Sequence, residues 1–381
     1  MVEPAQRGAT PGETTLRDGL DARLASIESG NYHRSVANAV GDFIDYMIRE
    51  KRVYTLEQVS RQHLFEYAIH LKERARDDED ISARSARTYF AMIRATFSWW
   101  VKAGYIDANP AESQAAVDEL PTSTEDPDRQ FWDPETRDEF LQYLDAQAEA
   151  SLDGDEHARI KAYRDRAVVY LLVFSGARGA ELFRDANDDR RNGLRWTNLD
   201  LENGVLQVIG KSSEDGRQEV PLSEKAHDVV ERYLRVLDPA SEDWPVVPSV
   251  SARVVNERIR ETLTDRDWAE EDVENLLDER DRWAICREYD VTPKALSTAS
   301  ARRLVKKRSK EAEVSIDGEY LKPHGARRGL GDQLYQENPV LAQKVLRHNS
   351  IETTHESYSD RRAERTREEM DDILAEGRRG Q

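Results

Sequence analysis

Between residues 111 and 129 the apolar periodicity of the first third of the chain breaks off. Pro121, Thr122, Ser123, Thr124 and Pro127 follow in close succession. Proline lacks a backbone donor, and serine and threonine compete for backbone hydrogen bonds, so this stretch reads as a connector, placed at 116–130, and not as core. A chain of 381 residues is long enough for about two cores, and the break marks where they part.

Upstream, the patterns are all helical. Residues 1–30 scatter Gly, Pro and Thr with little apolar periodicity and read as a flexible N-terminal arm. Residues 31–115 form a helical domain. Val36 to Ile48 carries a stripe of Val36, Val40, Phe43, Ile44 and Met47. Thr55 to Lys72 is expected to be a helix capped by Thr55. Ser82 to Ala103 holds Tyr89, Met92, Ile93, Phe97, Trp100 and Val101, with Gly104 as its stop and Asn109-Pro110 barring continuation.

Downstream, residues 131–381 read as a mixed α+β domain. Asp133-Pro134 is a helix start, and a second, more apolar helix spans Ala158 to Ser175. Leu194–Leu199, Val205–Ile209 and Gln218–Leu222, separated by turn signals, predict a small antiparallel sheet. A helix over Ser223–Leu237 precedes an acidic helical insertion around 253–290. Next come a basic helix over Thr298–Glu311, a hairpin around Asp317-Gly318, and helices at Arg328–Gln336, Pro339–Leu346 and Thr353–Ser357. A C-terminal tail carries an amphipathic segment, Arg365–Leu374. The expected fold class is mainly α with a small antiparallel β-sheet.

Several function classes drop out on composition. The longest fully apolar run, Ala167–Phe174, is far short of the ~18 residues that span a bilayer. Met1 to Arg7 has no apolar segment of the secretory kind, so a cytoplasmic protein is expected. Cys286 is the only cysteine, which excludes an internal disulfide and a thiolate-built zinc site. His348 and His355, seven apart, raise a metal site, but no carboxylate or cysteine pattern beside them completes one. The formal net charge is −19, from 75 acidic against 56 basic residues, the wrong sign for generic attraction to nucleic acid. The distribution is uneven, however. Lys294–Arg328 holds ten basic and four acidic residues, and Ile81–Gly104 holds four basic residues and no acidic one. An acidic body with basic faces fits a halophilic host, an archaeon or its virus, or simply an ordinary acidic protein.

Six residues, taken in order, are the candidates for a reaction site. Arg178 sits in Ser175-Gly-Ala-Arg-Gly-Ala-Glu-Leu182. Lys211 follows Gly210 and precedes Arg217 and Val220-Pro221-Leu222. His324 and Arg327 form His-x-x-Arg after Pro323, His348 ends Leu346-Arg-His348, and Tyr358 comes ten residues later. Singly, each has an ordinary explanation: a lone histidine is usually a structural hydrogen-bonding residue, and Arg178 could simply pair with Glu181. As an ordered set they resemble the tyrosine recombinase (phage integrase) family. The resemblance is good from about Arg164 to Asp360 and weaker over the preceding helical module, which is similar to the family's core-binding, DNA-binding domain. It departs from the family at Arg328, where a second histidine is usual, at Arg347, where glycine is usual, and in Ala186–Asn192 and the acidic helices, which look inserted.

The chemistry of phosphodiester transfer calls for these residue types. In-line attack concentrates charge on nonbridging oxygens, and the planar forks of Arg178 and Arg327 can hold them. The Tyr358 phenol, ordinarily titrating near ~10, becomes a nucleophile if guanidiniums favour its anion and His324 accepts its proton. Lys211 can protonate the departing 5′ oxygen, and His348 can donate to the phosphate. The phosphotyrosine stores the bond, so no metal or cofactor is called for. For DNA contact the candidates are Arg84, Arg87 and Arg94 in the first domain and Arg302, Arg303, Lys306 and Lys307 on the basic helix.

The resemblance implies a partner of double-stranded DNA at specific recombination sites. It also implies a homo-tetramer on two such sites, formed from monomers or weak associations, and integration or excision of a mobile element or virus. A relaxing topoisomerase using the same tyrosine chemistry and a cleavage-defective DNA-binding regulator remain as alternatives.

Overall fold

The computed structural model describes residues 14–28, 30–76, 80–122, 129–210 and 216–359, with Arg367 and Met370. The chain divides into two compact units, Met1–Asp128 and Arg129–Gln381.

In the first unit the helices are α1 (Leu16–Ala25), α2 (Gly30–Tyr46), α3 (Arg61–Arg74), α4 (Ala83–Lys102) and the short α5 (Gln114–Asp118). Helix α1 lies within the stretch read as a flexible arm. Thr15 caps it by accepting from Asp18 N at 3.1 Å, Leu16 is fully buried, and Trp100 Nε1 donates to Gly19 O at 2.8 Å. Its apolar stripe of Leu16, Leu20 and Leu24 is one residue wide between charged neighbours, too narrow to register in the sequence. The cap of α3 also differs from expectation. Ser60 accepts from His63 N at 3.3 Å while His63 Nδ1 accepts from Ser60 N at 3.2 Å, a reciprocal capping box. Thr55 is instead buried and bridged to Thr15. Helix α4 is capped by Ser82 and ends before Gly104, whose φ of +80° is left-handed. The core is aromatic, with Phe43 edge-on to Tyr67 at 5.0 Å and Phe97 edge-on to Trp100 at 4.8 Å.

The second unit is built on α6 (Pro134–Ala150) and α7 (Glu156–Phe174). Asp133 caps α6, accepting from Thr136 N at 2.9 Å, with Pro134 in the first turn. Helix α7 is buried on every side over Ala167–Val173, which is why that half of its sequence is an unbroken apolar run with no polar face. After the single turn α8 (Gly179–Leu182) come strands β1 (Leu199–Asp200), β2 (Val205–Ile209) and β3 (Arg217–Pro221), antiparallel in the order β1-β2-β3. Leu206 opposes Val220 and Val208 opposes Gln218, so Leu206, Val208 and Val220 point into the core.

Helix α9 (Glu224–Leu237) packs on α7. The acidic insertion consists of α10 (Ala252–Thr264), α11 (Glu270–Glu279) and α12 (Arg282–Glu288). It is no appendage: Val255, Ile259, Leu263, Val273, Trp283, Ile285 and Cys286 all join the main core. The basic helix α13 (Thr298–Glu311) is anchored by Arg308, whose Nη2 lies 2.6 Å from the buried Asp165 of α7.

Helix α14 (Pro323–Glu337) starts five residues earlier than the sequence suggested, with Pro323 in its first turn. Gly325, Gly329 and Gly331, all weak helix formers, conceal that start. Helix α15 (Pro339–Leu346) and a helix over residues 351–359 follow. The expected segment Arg365–Leu374 lies outside the described residues except for Arg367 and Met370, and Met370 is exposed. Among the described residues no helix is long and apolar enough to cross a membrane.

Candidate active site

Arg178 is placed by the turn that ends α7. Ser175 Oγ donates to Leu171 O at 2.5 Å and accepts from Ala177 N at 3.1 Å, closing the helix. Gly176 then takes φ +67°, and a β-carbon there would lie 3.0 Å from Val345 Cγ1, so conformation and space both call for glycine. Arg178 caps α8, and Glu181 turns back to meet it. Glu181 accepts from Arg178 N at 2.7 Å, from Arg178 Nη1 at 3.1 Å, and from Arg347 Nη2 at 2.5 Å. Burial would raise the Glu181 carboxyl, but these donors outweigh it and hold it below the ordinary carboxylate range.

His324 and Arg327 lie in the first turn and a half of α14. Arg327 is buried and its two terminal nitrogens donate to Gly176 O and Leu346 O, tying the first arginine's turn to the end of α15. Burial, followed by the nearby Arg178, pushes its pKa down to about 10, still charged at neutral pH. His324 keeps an exposed edge, yet desolvation of the ring and the fields of Arg328, Arg327 and Arg178 push it down to about 4. The three cations agree in direction with the desolvation, so a neutral imidazole follows despite that exposure.

His348 follows Arg347, which closes α15 in the left-handed conformation at φ 52°. Its Nδ1 is 3.0 Å from Thr354 Oγ1, and its ring lies parallel to Tyr358 at 6.4 Å. Burial and then Arg327 and Arg178 push His348 down to about 4 as well. His355 is committed elsewhere, with Nδ1 2.6 Å from the Tyr335 hydroxyl. Among the described residues no group of three or more His, Cys, Asp or Glu could hold a metal ion.

Tyr358 is 4% exposed and sits among Phe131, Tyr335, Ala342 and Leu346. Its hydroxyl rests on Gly331, where an added β-carbon would lie 2.2 Å away. Burial raises the phenol to about 12, against the opposing pull of Arg327, Arg328 and Arg129. The structure thus brings Arg178, His324, Arg327, His348 and Tyr358 of one chain into one site. Lys211 lies outside the described residues.

Of the candidate DNA contacts, Arg84, Arg87 and Arg94 are exposed on α4, with Arg87 Nε also donating to Pro121 O at 2.7 Å. Arg302, Arg303, Lys306 and Lys307 are exposed on α13. Lys306 lies over the Tyr320 ring at 4.7 Å and Lys307 is 3.7 Å from Glu311. Sequence reasoning missed the wall formed by the start of the second unit. Trp132 N donates to Gly325 O at 3.1 Å, the Trp132 backbone and ring lie where β-carbons at 325 and 329 would go, and Phe131 stands edge-on to Tyr358 at 6.1 Å. The signal was present as glycines four apart on one helix face.

The phage integrase family pattern matches residues 142–365, and the phage integrase SAM-like domain matches residues 20–116. The chain belongs to the phage integrase family, the tyrosine recombinases. It is 28% identical over 189 residues to tyrosine recombinase XerC of Xylella fastidiosa (strain M23), covering 48% of this chain and 53% of that one. Over 298 residues it is 26% identical to tyrosine recombinase XerD of Xanthomonas axonopodis pv. citri (strain 306), covering 78% of this chain and 76% of that protein. The chain thus spans about half the length of the XerC relatives it matches.

The fold is that of the Tn1549 transposon integrase in complex with a circular intermediate DNA. The TM-score is 0.56 at 15% identity, over 93% of this chain and 99% of that one. It is also that of a lambda integrase dimer bound to a COC′ core site, with TM-score 0.53, 16% identity, and 93% and 83% coverage. These relatives from Xylella and Xanthomonas are bacterial, and the archaeal or viral origin suggested by the acidity draws no support from them.

Proposed function

We propose that this protein is a site-specific DNA recombinase that cleaves and rejoins double-stranded DNA through a 3′-phosphotyrosine. The observation carrying this reading is that Arg178, His324, Arg327 and His348 share one electrostatic cluster, with Tyr358 parallel to the His348 ring and in the field of Arg327. Arg178 and Arg327 grip the nonbridging oxygens of the scissile phosphate. The Tyr358 phenol oxygen forms a bond to phosphorus as the bond to the 5′ oxygen breaks. His324, neutral in the free protein, accepts the phenol proton. Lys211 protonates the 5′ oxygen, and His348 donates to the phosphate. Reversal by a 5′ hydroxyl from another duplex rejoins the strand without an external energy source.

Binding of the phosphate is also what lowers the phenol from its buried value, since Tyr358 must leave its seat on Gly331 to reach phosphorus. DNA contact is assigned to the exposed bases of α4 and α13, with four protomers on two sites acting on the DNA of a mobile element in the cytoplasm. A nicked duplex that loses a short 5′ fragment on cleavage traps the intermediate. Wild-type protein is expected to form an adduct stable to denaturant, and Tyr358→Phe to bind the same duplex with none. Adduct from the phenylalanine variant would reassign the nucleophile. DNA binding without any wild-type adduct would favour a regulator, and relaxation of plasmid without strand exchange would favour a topoisomerase.

A further inference from the structure

Two arginines that depart from the family's pattern meet at the hairpin of β2 and β3. Arg347, where glycine is usual, holds a left-handed conformation that disfavours any side chain, at φ 52°. Its guanidinium spans two elements: Nη2 reaches Glu181 Oε2 at 2.5 Å and Nη1 reaches Gln218 Oε1 on β3 at 2.9 Å. The Gln218 carboxamide in turn lies across Gly210, where a β-carbon would fall 2.4 Å from Gln218 Cδ. From the segment Ala186–Asn192, Arg191 Nη1 donates to Ala180 O at 3.1 Å and Nη2 to Gly210 O at 3.2 Å. Arg191 is itself held by Asp188 at 3.4 Å. Arg191 therefore joins Ala180 of α8 to Gly210, and Arg347 joins Glu181 of α8 to Gln218 of β3; Arg178 caps α8, and Gly210 is the residue bonded to Lys211.

We propose that Arg347 and Arg191 are positioning residues that hold the base of the β2-β3 hairpin in register with Arg178, and so set where the leaving-group acid is delivered. A planar fork suits this, because one guanidinium can hold two acceptors at a fixed separation where an ammonium cannot. The inference rests on the recombinase reading and on Lys211 as the acid.

The test is single-turnover cleavage of one suicide duplex bearing either the natural 5′ oxygen or a bridging sulfur at the scissile bond, which leaves without a proton. Arg347→Gly relieves the left-handed strain while removing the link, and Gln218→Met removes the hairpin acceptor without touching Glu181. Arg191→Ala breaks the second link. Each is expected to slow cleavage of the oxygen substrate by about tenfold or more and to leave the sulfur substrate within about threefold of wild type, in line with the cost of a small misplacement. Equal slowing on both substrates, or no slowing on the oxygen substrate, overturns the proposal. Lys211→Ala run in parallel separates the two levels. If it too is not rescued by sulfur, the acid assignment fails. If it is rescued and Arg347→Gly and Gln218→Met are not, the positioning role alone fails.

Discussion

The arginine framework and the tyrosine-bearing helix are held in place by different forces. Arg178 and Arg327 are fixed by directional, charge-assisted bonds to Glu181 and to the carbonyls of Gly176 and Leu346. Tyr358 rests mainly on ring contacts and on the open face of a glycine. On the proposed function, polar bonds with fixed partners would preorganise a phosphate site in the absence of DNA, and apolar packing would keep the Tyr358 phenol protonated until the phosphate is bound.

Removing a fork is the most severe way to break that contrast. Arg178→Ala is expected to lower the adduct-forming rate about 10²–10³-fold, measured on the nicked duplex, while gel-shift affinity changes far less. Loss of binding in proportion would make Arg178 a docking residue. On the tyrosine side, Gly331→Ala puts a methyl group in the phenol's place and is expected to cost about 1–3 kcal/mol in denaturant unfolding. It should also bring the Tyr358 titration down from about 12 toward the ordinary phenol range. An unchanged titration would mean that the seat on Gly331 does not set the nucleophile's resting state.

The histidines sharpen the comparison further. Both His324 and His348 are pushed down to about 4, below the ordinary value of 6.5, so the unfolded chain binds more protons as pH falls from about 6.5. Their contribution is therefore fully present above pH 6.5 and is lost as pH falls through about 4. NMR titration of the free protein should find both rings neutral at pH 6, and a ring protonated there would remove His324 as proton acceptor. The mildest effect is expected at the exposed helix α13. Arg302→Ala and Lys306→Ala should each weaken DNA binding across all sequences and reduce the salt-dependence slope by about one, with cleavage of bound DNA unchanged.

Much of the site was legible in sequence because each box carries its own local reason. Gly176 is demanded by a left-handed turn against Val345, Asp133-Pro134 by a helix start, and the alternation of Leu206, Val208 and Val220 by a one-sided sheet. What escaped were features whose partners are distant in the chain. Helix α1 is held by Trp100 and Tyr54, the acidic helices by a shared core around Trp283, and Arg347 by Glu181 and Gln218. Arg347 looked like a defect in a motif, since a glycine position filled by arginine declares its cost locally and its benefit only across 166 residues.

By itself the sequence determined most of the elements, the order of the boxes and residue types suited to the proposed phosphodiester transfer, because propensity, capping and side-chain chemistry act over a few neighbouring residues. Only the tertiary structure decided that Tyr358 is buried with its hydroxyl against Gly331 of α14, and that Glu181 gathers two arginines. Burial and long-range hydrogen bonds depend on where distant segments meet, and no local pattern carries that information.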